Sequence, residues 1–301
     1  MRIPEGILEE IFESIKEENN LEVEKEITHY LSKLKSNLVE LRSAYRKVPV
    51  KIDYKDKKNQ EVYLIAYFPL YTVPIFKVLE YINKDHPSLN IPQNLCLIGA
   101  GPAPEIMGFL KFINNQFKNY KHGTNINIEL IEIASEWDYA RTILKRIYAR
   151  EKIRRKFSLS KLKIYKKDIS KKISNSSVLL RRYRENQYKR VVVIQNIINE
   201  IEQQSHEVFI ENVIKCYENL VAGSFLILID LKYSIVLNVT YQLETKLKKD
   251  VIKSFGSSGD YVESWANIIL PEIIENNLFD SPGFGAKRKV KYGYGIFYKQ
   301  K

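Results

Sequence analysis

The sequence predicts an α/β protein: a parallel, doubly wound sheet with helices on both faces, preceded by a helical region. Three observations carry this. From residue 94 onward, short apolar runs alternate with longer stretches of helical periodicity, the order of βαβ units. The first of those runs, Asn94-Leu-Cys-Leu-Ile98, breaks directly into a Gly99-Ala-Gly101-Pro102 turn. Before it, apolar residues recur at helical spacing between acids and lysines.

Taken in order, residues 5–46 read as helices, with Ile7, Ile11 and Ile15, then Ile27, Leu31, Leu34, Leu38 and Leu41, on the apolar faces. A polar strip follows over 53–60, then a second helical segment over 63–82. These form an N-terminal helical domain, 1–90, ahead of a sheet domain, 91–301. Strands are expected at 95–98, 126–133, 162–166, 191–195 and 225–230, with helices at 105–117, 136–156 and 206–220. After Ser234 the pattern is less regular: 254–259 and 281–286 read as loops and 290–299 as a closing strand.

Composition narrows the function classes. A chain of 301 residues, 45% apolar, can bury one large core and a smaller appendage. Its two cysteines, Cys96 and Cys216, have no partner at metal-ligand or redox spacing, so no metal centre, iron–sulfur cluster or disulfide framework is expected. No run of about 18 apolar residues is present and the opening Met1-Arg-Ile-Pro does not look like a signal peptide, so a cytoplasmic protein with no membrane segment is expected. The net charge of +12 is concentrated: residues 141–190 hold 19 Lys and Arg against three acids, Glu151, Asp168 and Glu185.

The glycine turn selects the cofactor class. Glycine can make the tight turn and let a ligand approach the backbone. A dinucleotide fingerprint would place a third glycine where this chain has Pro104, which offers neither an N–H nor close helix–strand approach. A Gly-x-Gly-Pro turn without a third glycine instead resembles motif I of the class I S-adenosylmethionine-dependent methyltransferases, a Rossmann-like fold. That resemblance implies a cofactor bound by Gly99, Ala100, Gly101 and Pro102, by Glu132 with Ile133 at the end of the second strand, by Asp168 and Ile169 after the third, and by Gln195 and Asn196 after the fourth. Glu132 would accept hydrogen bonds from the ribose, and Asp168 would lie near the adenine amino group. Leu97 stands where the family usually has an acid, two residues before the first glycine.

Two narrower resemblances disagree about chemistry. The elements Tyr67-Phe-Pro-Leu-Tyr71 and Leu79-Glu-Tyr81, with Gly99-Ala-Gly-Pro-Ala-Pro104, look like nicotianamine synthases, which move an aminobutanoyl group from the same cofactor. On that reading Glu80 is the proton-accepting carboxylate. The same helix, with Ile198-Asn-Glu-Ile201, resembles the mitochondrial-type ribosomal small-subunit methyltransferase-like family, without its cysteine clusters. Family geometry puts the acceptor over the ends of the fourth and fifth strands, near Gln195, Asn196, Asn199, Glu200, Asp230, Lys232 and Tyr233. Candidate catalytic residues are Glu80, Glu200 and Tyr71. No Asn/Asp-Pro-Pro-Tyr/Phe element follows the fourth strand, and no cysteine nucleophile stands there. The histidines, His206 among them, read as surface or cap residues.

The basic block mixes cations with Tyr183 and Tyr188, as a surface for phosphates and stacked bases does. Arg154, Arg155, Arg181 and Arg182 are its candidate nucleic-acid contacts. An acidic protein is the other partner such charge would suit, and a solvated face is the plain alternative. The expectation is a methyltransferase acting on RNA or another polyanion. An aminobutanoyl transferase on a small amine, and a non-catalytic binding module of the same fold, are the alternatives.

Overall fold

The computed structural model describes residues 7–116, 124–132, 137–149, 157–174, 177, 180, 188–266, 268–280 and 285–300. The N-terminal region is helical as its periodicity predicts. Helix α1 (Ile7–Glu18) buries Ile7, Leu8, Ile11, Phe12 and Ile15, and α2 (Glu24–Ala44) buries Ile27, Leu31, Leu34, Leu38 and Leu41. The polar strip differs from expectation. Asp56 caps α3 (Lys57–Ala66) by accepting from Lys58 N–H at 2.9 Å, and Asn59 and Gln60 are buried rather than solvated. They are tolerated because each is bonded: Gln60 donates to the Tyr54 carbonyl (2.7 Å) and accepts from Ala140 N–H (3.0 Å), and Asn59 donates to the Asp53 carbonyl (3.0 Å). Helix α4 (Phe68–Asp85) follows after Tyr67 and meets α3 at 51°. Among the described residues no single helix is long and apolar enough to cross a membrane; α3 and α4 together pass that test of length and composition, but their apolar residues lie in the core.

Five parallel strands form the body: β1 (Asn94–Ile98), β2 (Thr124–Glu132), β3 (Phe157–Lys166), β4 (Val191–Gln195) and β5 (Phe225–Leu231). The sheet runs β3-β2-β1-β4-β5-β8-β6, where β6 is Val251–Ser254 and β8 is Lys289–Tyr298; β7 (Val262–Trp265) also pairs with β8. Strand β8 lies antiparallel to β5, β6 and β7. The order reverses between β1 and β4, and that switch point opens a crevice at the carboxyl ends of the strands.

This is a Rossmann-like fold: a doubly wound parallel sheet in which the antiparallel strand β8 lies beside β5. Two apolar layers hold it. Leu95 and Leu97 face a cluster shared with α1–α4, α5 (Pro104–Gln116) and α6 (Asp138–Ala149), a single core that is continuous across residue 90. Cys96 and Ile98 point the other way, as alternation along a strand requires, into a cluster with α7 (His206–Glu218) and α8 (Ser234–Lys246). Both cysteines are buried there and unbridged.

Several elements differ from the sequence reading. Strand β3 begins five residues earlier, at Phe157, and the helix expected over 136–156 is described only as Asp138–Ala149. The 254–259 loop contains a one-turn helix, α9 (Phe255–Ser258), closed by Gly259 in the left-handed region. Helix α8, strands β6 and β7, and helix α10 (Glu272–Leu278) carry no clear pattern in the sequence. Helix α8 is rich in β-branched residues and is set by packing of Val236, Val239 and Leu243, which overrides weak propensity.

Candidate cofactor and acceptor site

Strand β1 hands over to α5 through a turn built on positive φ angles: Gly99 (+68°), Gly101 (+48°) and, in a region a side chain resists, Ala103 (+60°). At Gly99 the need for glycine is also steric, since a Cβ would stand 2.3 Å from Ile197 Cδ1 in the loop after β4. The turn is held on both sides. Gly99 N–H donates to the Ile131 carbonyl (2.8 Å), Gly101 N–H donates to the Glu132 carboxylate (2.7 Å), and Arg141 Nε donates to the Gly101 carbonyl (3.0 Å).

A cavity of about 890 Å³ opens over this turn. It brings together Gly99, Ala100, Gly101, Pro102, Glu132, Asp168, Ile169, Gln195, Asn196 and Glu200, as the order of motifs predicts. Asp168 accepts from Ser170 N–H (2.9 Å) and Oγ (2.6 Å), so it shapes its own turn as well as lining the site. Gln195 donates from Nε2 to the Tyr71 carbonyl at 2.8 Å. After Asn196 (φ +56°) comes a short 3₁₀ turn, Ile198–Glu200, pinned by Asp230, whose carboxylate accepts from Ile198 N–H at 2.9 Å and from Leu231 N–H at 2.7 Å. Ile133, Arg154, Arg155, Arg181 and Arg182 lie outside the described residues.

The roof of the cavity comes from the N-terminal region. Val50 N–H donates to the Asn199 carbonyl (2.9 Å), which straps residues 50–54 across the opening. Tyr45, Tyr54, Tyr63 and Trp137 line the volume, with Tyr54 over Trp137 at 4.1 Å between ring centres and Tyr63 edge-on to Trp137 at 5.1 Å. Burial raises the phenols of Tyr45, Tyr54, Tyr63 and Tyr71 well above their ordinary range, with neighbouring tyrosines adding to it. They are neutral at physiological pH and present π faces and hydroxyl donors, not bases. Sequence reasoning missed this roof, because helix-phase tyrosines look the same whether they pack in a core or line a cleft.

The carboxyl groups define the electrostatics. Six acids line the cavity, Asp53, Glu105, Glu132, Asp168, Glu200 and Glu202, against three lysines, Lys51, Lys167 and Lys171. Glu105 is buried and pushed up to about 8 by burial, with the Glu132 charge adding to the rise. Glu200 faces the open volume rather than packing, yet protein surrounds that volume, and its carboxyl is also pushed up to about 8 by burial and then by Glu132 and Asp230. Asp230 rises to about 7 through burial, opposed by its backbone N–H donors. Among the described residues no group of three or more His, Cys, Asp or Glu is arranged to hold a metal ion.

Two predicted catalytic residues are elsewhere. Glu80 is half-exposed and pairs with Lys77 at 2.8 Å, outside the cavity. The helical phase explains it: Ile75, Val78, Leu79 and Ile82 take the buried face of α4 and turn Glu80 outward. Tyr71 is buried behind Tyr63 and Tyr67; it orients Gln195 through its carbonyl and does not line the cavity. His206, expected at the surface or as a cap, is buried with Nε2 3.1 Å from the Ile201 carbonyl.

No family model matches the sequence, and no curated protein matches it. Solved structures of similar architecture include the plantazolicin methyltransferase BpumL in complex with a desmethyl substrate analogue and S-adenosylhomocysteine (13% identity, 91% of this chain and 99% of that one, TM-score 0.40). Another is the N-methyltransferase NodS of Bradyrhizobium japonicum with S-adenosylhomocysteine (9% identity, 87% and 99%, TM-score 0.40). A third is the CMeT domain of the citrinin polyketide synthase (13% identity, 96% and 69%, TM-score 0.38). Likeness at this level carries no argument about activity, which has to come from the site.

Proposed function

We propose that the protein is an S-adenosylmethionine-dependent transferase, delivering a methyl group to a small acceptor held beneath the tyrosine roof. The observation that carries this reading is Glu132. It is the acid ending β2, bonded to Gly101 N–H beside a glycine turn, in a cavity at the switch point of the sheet. The residues present fit the cofactor: Glu132 for the ribose hydroxyls, Asp168 and Ile169 for the adenine, and the 99–102 backbone for close approach.

When bound, the cofactor supplies an already activated sulfonium carbon, so the chain's task is chiefly to position and to exclude water. Val50–Tyr54 and the tyrosine roof do the excluding. Glu200, which lines the open volume after β4, is placed to take a proton from an acceptor as that acceptor is alkylated. With Glu80 outside the cavity, the aminobutanoyl alternative would also depend on Glu200 or Glu105.

The lining favours a neutral or cationic acceptor, since its acids outnumber its three lysines even with Glu105 protonated, and it offers no positive field to draw in a polyanion. RNA is the second reading and rests on the basic block, of which Lys163, Lys166, Lys171 and Lys172 are exposed along the β3 edge. Incubation with the cofactor and a panel of small amine acceptors tests the proposal. S-adenosylhomocysteine as by-product is the expected result; methylthioadenosine would replace methyl by aminobutanoyl transfer, and neither would leave a binding module. Glu132→Ala is expected to weaken S-adenosylhomocysteine binding by about 1.5–3 kcal/mol in calorimetry, and unchanged affinity would overturn the assignment of that residue.

A further inference from the structure

Glu105 is a buried carboxyl group with no counter-charge among the described residues. It stands at the second position of α5, lines the cavity, and is 4% exposed. Its Oε2 has no hydrogen-bond partner among the described residues. Its own backbone N–H donates to it and favours the charge, but the other groups around it do not: Glu132 is an electrostatic neighbour of the same sign, and neutral Tyr63 lies near. A carboxylate so placed costs stability unless something else neutralises it. The cavity walls beside it, Tyr63, Tyr54 and Trp137, present aromatic faces that attract cations. Trp137 also flanks the turn that leads to Glu105, since a Cβ at Gly101 would contact its indole at 3.4 Å.

A second observation concerns the turn. Leu97, two residues before Gly99, has its side chain buried in the apolar core. The start of the β1–α5 connection therefore offers no acid to a positively charged ligand group, while its end offers one with a vacant acceptor oxygen.

We propose that Glu105 is the counter-ion for an alkylammonium group bound in this cavity, with Tyr63 and Trp137 as the adjoining aromatic faces. Resting on the cofactor reading above, the ammonium has two sources: the amino-acid end of the cofactor, or a separate amine acceptor. Either requires the carboxyl to be ionised when the ligand is bound. Because burial holds its proton up to about 8, binding of the ammonium near pH 7 releases that proton to the solvent.

Calorimetry on the full chain and on Glu105→Gln, in two buffers of different ionisation enthalpy, tests this with three probes. S-adenosylhomocysteine carries the ammonium, methylthioadenosine keeps the nucleoside without it, and 1,4-diaminobutane supplies an amine alone. If the cofactor is the source, Glu105→Gln weakens S-adenosylhomocysteine by about tenfold or more, leaves methylthioadenosine within about twofold, and abolishes the proton release that accompanies the former. If an amine acceptor is the source, the loss falls on 1,4-diaminobutane instead, while n-butanol at the same concentration binds neither protein. Equal weakening of all three probes, or unchanged affinity for all, overturns the proposal. Failure of the unaltered protein to bind either nucleoside would sink the cofactor reading, and the diamine, titrated without nucleoside, then decides Glu105 by itself.

Discussion

Glu61 and Glu105 are both carboxyl groups withdrawn from solvent, and the protein treats them in opposite ways. Glu61, in α3, joins four elements: it accepts from Tyr139 Oη at 2.6 Å, from Asn19 Nδ2 at 2.9 Å and from Tyr30 Oη, with Lys57 at 3.9 Å. Every direction from that carboxylate meets a donor, so α1, α2, α3 and α6 are locked at one joint. Glu105, in α5, faces a cavity and keeps one buried oxygen, Oε2, without a donor among the described residues. The first carboxylate has already been used by the fold. The second retains its capacity for something that is not part of the chain.

The largest expected effect separates the two on stability. Glu61→Ala leaves two tyrosine hydroxyls and an amide without their acceptor and should cost about 3–5 kcal/mol in urea denaturation, by analogy with breaking a buried ionic network. A loss below about 1 kcal/mol would mean that the joint is not structural and that the contrast fails.

Glu105 should show the reverse behaviour, and its sign follows from its raised titration. The folded protein holds the Glu105 proton up to about 8, whereas an unfolded glutamic acid releases it near 4.5. Between those values the native state binds more protons, so this group's contribution falls as pH rises from 4.5 and is lost above about 8. Glu105→Gln cannot ionise, and should gain on the order of 4 kcal/mol relative to the unaltered protein between pH 5 and pH 8. Parallel pH profiles for the two proteins would show that Glu105 is already neutralised within the fold.

The smallest effect in the cavity is expected from the basic block. Replacing Arg154, Arg155, Arg181 and Arg182 by Glu should leave S-adenosylhomocysteine affinity unchanged. If the block follows a single-stranded phosphate backbone, log affinity for RNA falls with log salt at about −0.7 per neutralised phosphate, and the four reversals lower binding for all sequences alike. Absence of salt-dependent RNA binding by the unaltered protein would end the polyanion reading and leave the acid-lined cavity to define the acceptor.

Much of the sheet was legible because its strands are short apolar runs with breakers at both ends. Strand β4, Val191–Gln195, has the expected bounds, and Glu132 is recognisable as the last residue of a strand that follows a glycine turn. Where the pattern is one of helical phase, the reading is ambiguous. The element Leu79-Glu-Tyr81 suggests a reacting carboxylate, but the buried stripe of α4 rotates Glu80 away from the site. Asp53–Gln60 looks like a solvated strip because its residues are polar, while hydrogen bonding within the fold makes several of them interior.

The sequence alone determined the alternation of strands and helices from β1 to β5, the glycine turn and the acid at the end of β2, because each depends on neighbours within a few residues. The strap over the cavity, the tyrosine roof and the isolation of Glu105 were decided by tertiary structure. They arise where residues 45–63 meet segments far along the chain, as in the Val50 to Asn199 hydrogen bond, and no local pattern records which distant surface a side chain will face.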